Sequence, residues 1–280
     1  MYGAIIGDIV GSRFEFHNHR DKNFKLFTKY NYYTDDTVCT CAIACALSEY
    51  DSIEDRDDRD LYNLTVKNLQ FFCRLSTHRG YGGSFYRWIY ESLPMPYNSW
   101  GNGAAMRVSP VAYYAKSEEE VKKLANIVTC VTHNHPEAML GAEITAMCIY
   151  KCLHGASKDD IKAYVLPFYP QIAHFDYENL KKTYSFNETC RNTVPQAIFC
   201  FLISENFEDC LRTSVSIGGD TDTLCAISCA IAEAYYYRDS KRKDYLNKAP
   251  LKQYFSDNSD KLLIESVKKI YNLFYLNNNV

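Results

Sequence analysis

The chain has no Cys-x-x-Cys pair, although it carries twelve cysteines. Zinc-ribbon and thioredoxin-like readings therefore lose their support, because both need closely spaced thiols. The cysteines fall mainly in helix-like stretches: Cys39, Cys41 and Cys45; Cys148 and Cys152; Cys225 and Cys229. They read as small, reduced core residues of a cytoplasmic protein rather than as a disulfide framework. Basic charge has no surplus either, with 31 Lys and Arg against 34 Asp and Glu and a net charge of -3. No broad positive field advertises nucleic acid or an anionic membrane, so an anionic ligand has to be held locally by helix N-termini and backbone amides. No apolar run approaches the ~18 residues that a membrane span needs. The apolar start, Ala4-Ile5-Ile6 and Ile9-Val10, lacks preceding basic residues and is interrupted by Asp8, so it reads as neither leader nor span.

Alternating apolar–polar runs suited to strands are nearly absent, and helical period dominates instead. The template fits residues 3–11, 35–49, 60–74, 117–129, 137–154, 158–166, 193–205, 207–215, 222–237 and 260–275. In the first of these Gly3, Gly7 and Gly11 share one face at i, i+4 spacing, which lets another backbone approach closely. Residues 51–60 form a charge run that reads as a solvated connection, and residues 78–84 and 101–104 are glycine-rich turns. No composition shift marks a domain boundary. The expectation is one all-α domain over residues 1–280, a soluble monomer.

Two Asp/Thr clusters carry most of the chemistry: Thr34-Asp35-Asp36-Thr37 and Asp220-Thr221-Asp222-Thr223. Each opens a helix rich in Ala, Cys, Ile and Leu, so each belongs to a buried element. Adjacent Asp35 and Asp36 cannot both serve one N-cap, and their repulsion needs a cation or donor to offset it. Oxygen ligands alone argue for Mg²⁺, Mn²⁺ or Ca²⁺ over Zn²⁺, and four carboxylates suit a binuclear centre. Aspartates on facing helices also suggest isoprenoid synthases, but the aspartate expected at i+4 from Asp35 is Cys39. Thr132-His133-Asn134-His135-Pro136-Glu137 offers a second candidate, an H-x-H transition-metal pair with Glu137 as third ligand. Its bland alternative has one histidine facing a ligand and the other packing. The turn from Gly101 through Asn102, Gly103, Ala104 and Ala105 to Met106 and Arg107 enters a possible helix whose amides would cradle phosphate. Alone, Glu15 is an unremarkable loop carboxylate.

Taken together, these segments resemble the ADP-ribosylglycohydrolase family, which includes the bacterial dinitrogenase reductase-activating glycohydrolase and the eukaryotic ADP-ribosyl-acceptor hydrolases. The matching stretches are G-A-I-I-G-D-I-V-G-S-R-F-E-F, T-D-D-T, R-G-Y-G-G-S-F, G-N-G-A-A-M-R-V-S-P, T-H-N-H-P-E and G-G-D-T-D-T followed by A-I-A-E-A-Y. They keep the family's order and cover residues 1 to about 238. The resemblance implies a compact, multi-helix orthogonal bundle and two divalent cations, Mg²⁺ or Mn²⁺, at the bottom of an ADP-ribose cleft. The metal ligands it implies are Thr34, Asp35, Asp36, Asp220, Asp222 and Thr223. Glu15 matches an acidic residue on a loop that guards the metals and contacts substrate. Gly82, Gly103, Ala104 and His133 match positions near the diphosphate and ribose.

The implied activity is metal-assisted hydrolysis of the bond between ADP-ribose and an acceptor, with Asp36, Asp222 or Glu15 as base. The implied partner is an ADP-ribosylated protein or a small ADP-ribose conjugate. Two other classes stay open: a non-catalytic ADP-ribose reader or structural relative, and a metal-dependent hydrolase of another nucleotide-like substrate. The acceptor linkage is not fixed, although Glu15 leans towards the O-linked group. Three departures stand out. The second cluster has Thr221 where Ser is common, Ala104 stands where Gly or Ser is frequent, and the glycine usual after Tyr237 is missing. Residues 239–280 carry no motif and are expected to form a helical extension.

Overall fold

The structure, a computed structural model, describes residues 1–237 and 258–278. Among these it is all-α, with thirteen α-helices, three short 3₁₀ segments and one isolated bridge, Gly101 to Thr189, in place of any sheet. The first helix, α1 (Tyr2–Gly11), runs directly against α12 (Thr221–Tyr236). Glycine allows this. A Cβ at Gly3, Gly7 or Gly11 would stand 2.2, 2.2 and 2.4 Å from the carbonyl oxygens of Cys229, Cys225 and Thr221. The glycine face therefore meets a backbone, as its spacing requires.

Two small-residue helices form the centre. In α12 every residue from 221 to 234 is buried, and α2 (Asp35–Asp51) buries most of its length. Around them pack α3 (Asp58–Leu75), α4 (Gly83–Tyr90), α5 (Ser109–Tyr114), α6 (Glu118–Cys130), α7 (Pro136–Leu153), α8 (Lys158–Val165), α9 (Tyr177–Thr183), α10 (Cys190–Ile203) and α11 (Phe207–Ile217). The last helix, α13 (Asn258–Asn278), lies against α2 and α5. Of the expected extension over residues 239–280, residues 239–257 and 279–280 lie outside the described residues.

Local chemistry sets the boundaries. Ser117, Asp176 and Asn206 each accept from the amide three residues on, which starts α6, α9 and α11. Asp57–Asp60 and Ser157–Asp160 are full capping boxes, so part of the 51–60 charge run caps α3 instead of only connecting. Gly218 and Gly219, at φ +71° and +84°, make the reversal between α11 and α12. The turns read at 78–84 and 101–104 lead into α4 and into a 3₁₀ turn, Asn102–Ala104. All twelve cysteines are free thiols, most of them buried.

Candidate metal centre and nucleotide cleft

The start of α2 is built on a carboxylate from another helix. Asp8 on α1 is wholly buried and accepts from Thr34 N (2.9 Å), Thr34 Oγ1 (2.8 Å), Thr37 N (3.0 Å) and Thr37 Oγ1 (2.5 Å). These bonds pull its carboxyl down, yet burial wins and raises it to about 6. Thr34 caps α2 by accepting from Asp36 N, which leaves the Asp35 and Asp36 side chains projecting from the first turn. At α12, Asp220 takes the cap position and Asp222 and Thr223 the first turn. Asp220 Oδ2 accepts from Asn102 Nδ2 at 2.6 Å.

The two helix starts meet. Thr223 Oγ1 donates to Asp36 Oδ2 at 3.3 Å across 187 positions of sequence. Glu15, just after α1, completes the group: ligand oxygens of Glu15, Asp220 and Asp222 all lie within 4.8 Å of one another. Among the described residues no Lys or Arg ion-pairs with any of these acids, and Asp36 Oδ1 and Asp222 Oδ1 are buried without a hydrogen-bond partner. Uncompensated, they are pushed towards the protonated form. Burial raises Asp35, Asp36 and Asp222 well above the carboxylate range, Asp220 to about 6 and Glu15 to about 8, with mutual repulsion adding to each. Two orphaned carboxylate oxygens facing one all-oxygen donor set fit a hard divalent cation.

The acids line the floor of a cleft of about 510 Å³. Its walls include Gly80 and Gly82 before α4, Gly83 at its start, Tyr97 and Trp100, Asn102, Gly103, His133, and the 186–189 loop. A side chain at Gly82 or Gly83 would meet nothing within 4 Å, so both backbones face open space. Phe16, beside Glu15, stacks on Phe186 at 5.9 Å between ring centres.

Of the sequence-derived residues, Glu15, Asp35, Asp36, Gly82, Gly103, His133, Asp220, Asp222 and Thr223 line this one cleft. Thr34 lies behind it, its hydroxyl held by Asp8. Ala104 is wholly buried under the loop, its amide turned to Gly101 O, and is not in the wall. The amides of Asn102, Ala105 and Met106 bond to carbonyls of Glu188 and Asn102, so the expected phosphate cradle is not made of them. The H-x-H candidate does not converge. His135 Nδ1 caps α7 by accepting from Glu137 N, Glu137 pairs with Arg191, and His133 points elsewhere. Asp8, the Asn102 side chain and Arg107 were not singled out by sequence reasoning. Their signal was faint: a lone acid in an apolar glycine-faced helix, and polar groups inside a glycine turn.

A family model described as ADP-ribosylglycohydrolase matches residues 1–269, beyond the 238 that the motifs reach. Human ADP-ribosylhydrolase ARH3 is 26% identical, the alignment covering 85% of each chain. The ADP-ribosyl-(dinitrogen reductase) glycohydrolase of Rhodospirillum rubrum is 25% identical over 89% of this chain and 88% of its own. A solved structure, titled an ADP-ribosylglycohydrolase-related protein complex, superposes with a TM-score of 0.66 at 20% identity, covering 98% and 95% of the two chains, and agrees in fold. The chain belongs to the ADP-ribosylglycohydrolase family of hydrolases.

Proposed function

We propose that this protein is a divalent-metal-dependent hydrolase that cleaves the glycosidic bond between ADP-ribose and its acceptor, reversing ADP-ribosylation. One observation carries the metal dependence: the orphaned, buried oxygens of Asp36 and Asp222 belong to two helix starts joined by the Thr223–Asp36 bond at the cleft floor. Thr34, Asp35, Asp36, Asp220, Asp222 and Thr223 would hold two cations, Mg²⁺ or Mn²⁺, which when bound supply Lewis acidity and an activated water. Among these Thr34 lies behind the cleft wall, where Asp8 already accepts its hydroxyl hydrogen. The side chain orients its lone pairs rather than donating to substrate.

The rest is work for the protein's own groups. Glu15 is half-buried at the edge of the acid group and holds its proton up to about 8. With cations bound the repulsion that raises these acids is offset, and a carboxylate beside the reacting position suits general base work, with Asp36, Asp222 and Glu15 as the candidates. The Gly82 and Gly103 backbones and His133 would orient the ADP portion, so that binding remote from the cleaved bond positions the ribose over the acids. Residues 1–280 act as one domain in this reading, with α13 sealed against α2, and the protein works as a monomer.

The test is release of free ADP-ribose, followed by mass spectrometry, from serine-linked and arginine-linked ADP-ribosyl peptides with Mg²⁺, with Mn²⁺ and after chelation. Release from one peptide that chelation stops supports the reading and names the linkage. Release unaffected by chelation contradicts the metal dependence. No release from either peptide, with ADP-ribose still bound, favours the non-catalytic reader.

A further inference from the structure

One cation lining the cleft has no acidic partner among the described residues. Arg107 is 1% exposed, lines the cleft and has no ion-paired carboxylate among the described residues. Its Nε is buried without a hydrogen-bond partner, and its guanidinium lies 5.6 Å from the centre of the Phe85 ring. Nη2 donates to Thr132 Oγ1 at 2.7 Å, and Thr132 Oγ1 stands 2.7 Å from His133 Nδ1.

The direction of this chain follows from counting hydrogens. A guanidinium has donors only, so Thr132 Oγ1 must accept from Arg107. The hydroxyl has one hydrogen of its own, and Nδ1 is the partner within reach. With Nδ1 protonated instead, the Thr132 oxygen would accept twice and its buried hydrogen would be left unbonded, which is unfavourable. Burial and the nearby guanidinium both hold the His133 pKa well below its ordinary value, so the ring is neutral at neutral pH and carries one hydrogen. That hydrogen belongs on Nε2. Nε2 lies only 3.2 and 3.4 Å from where Cβ atoms on Gly103 and Gly101 would stand, so glycine at both positions leaves it open to the cleft.

We propose that Arg107 is a positioning residue that acts through Thr132 to fix His133 as the Nε2–H tautomer, a hydrogen-bond donor aimed at an anionic oxygen of the ligand. The uncompensated guanidinium behind it adds a positive field where the surrounding acids would otherwise repel such a ligand. Identifying that oxygen as a phosphate oxygen of ADP-ribose rests on the proposed function; the tautomer does not.

Nitrogen NMR of histidine-labelled protein with Mg²⁺ present, with the His133 signals assigned through His133→Gln, reads the tautomer directly. Protonated Nε2 and unprotonated Nδ1 are expected in the native protein and in Thr132→Ser, which keeps the hydroxyl. Thr132→Val should convert the ring to the other tautomer or to a mixture and weaken calorimetric binding of ADP-ribose about tenfold. A native ring protonated on Nδ1, or a Thr132→Val ring that keeps the native tautomer, overturns the proposal. Expected tautomers in all three proteins without any ADP-ribose binding would leave the relay standing and sink the functional reading.

Discussion

Asp36 and Asp222 each present one carboxylate oxygen that is buried and unbonded, a condition that only a proton or a cation relieves. Replacing either acid by Asn removes the charge while keeping the shape. Asp36→Asn and Asp222→Asn should each lower kcat on the order of a hundredfold or more in the release assay. The metal-free variants should melt no lower than the metal-free native protein, because no acid at that position then has to be held protonated against its ordinary pKa. Near-native turnover in either variant would remove that residue from the catalytic centre. Asp8 acts differently, since its four bonds from Thr34 and Thr37 anchor the helix start itself.

At the scale of helices, α1 and α12 are locked by contact between backbones. Gly7→Ala sets two effects against each other. Ala gains about 1 kcal/mol of helix propensity. Its Cβ would, however, stand 2.2 Å from Cys225 O, and forcing backbones apart costs about 3 kcal/mol or more. The net expectation is destabilisation by at least about 2 kcal/mol, read as a fall in the urea midpoint; an unchanged midpoint would mean that the two helices are not in this contact. The same pair shows what could be read from residues alone. Glycines at i, i+4 and Asp/Thr clusters before small-residue runs are local patterns, so α1, α2, α12 and the acids were legible. Helices α4, α5 and α9 were not: each is only six to eight residues long, and α5 is buried on every side, so it shows no polar face. The helix read at 193–205 begins earlier, at Cys190, and carries Pro195 inside it. Partnerships such as Asp8 with Thr34, Asn102 with Asp220 and Arg107 with Thr132 join separate segments, so no local pattern encodes them. Ala104 was misplaced for the same reason: its motif neighbours line the cleft, while a 3₁₀ turn rotates it under the loop.

For the whole molecule, the crowded acids make stability depend on pH and metal together. Asp8 and Asp220 are raised to about 6 and Glu15 to about 8, chiefly by burial. Between the ordinary carboxyl value of about 4 and these folded values, the folded metal-free protein holds protons that the unfolded chain has released. Its stability therefore falls as pH rises through that window. Calorimetric melting in chelator should give a lower midpoint at about pH 8 than at about pH 5, and added Mn²⁺ should raise the midpoint more at the higher pH. A midpoint that rises across the window in chelator would show that the acids are not crowded as described.

The proposed chemistry requires two distant helix starts to form one metal centre. Calorimetric titration of Mn²⁺ into the metal-free protein tests this most directly. The predicted result is about two ions bound per chain, with binding lost when Asp36→Asn and Asp222→Asn are combined. No binding to the native protein, or full binding to the double variant, would contradict it.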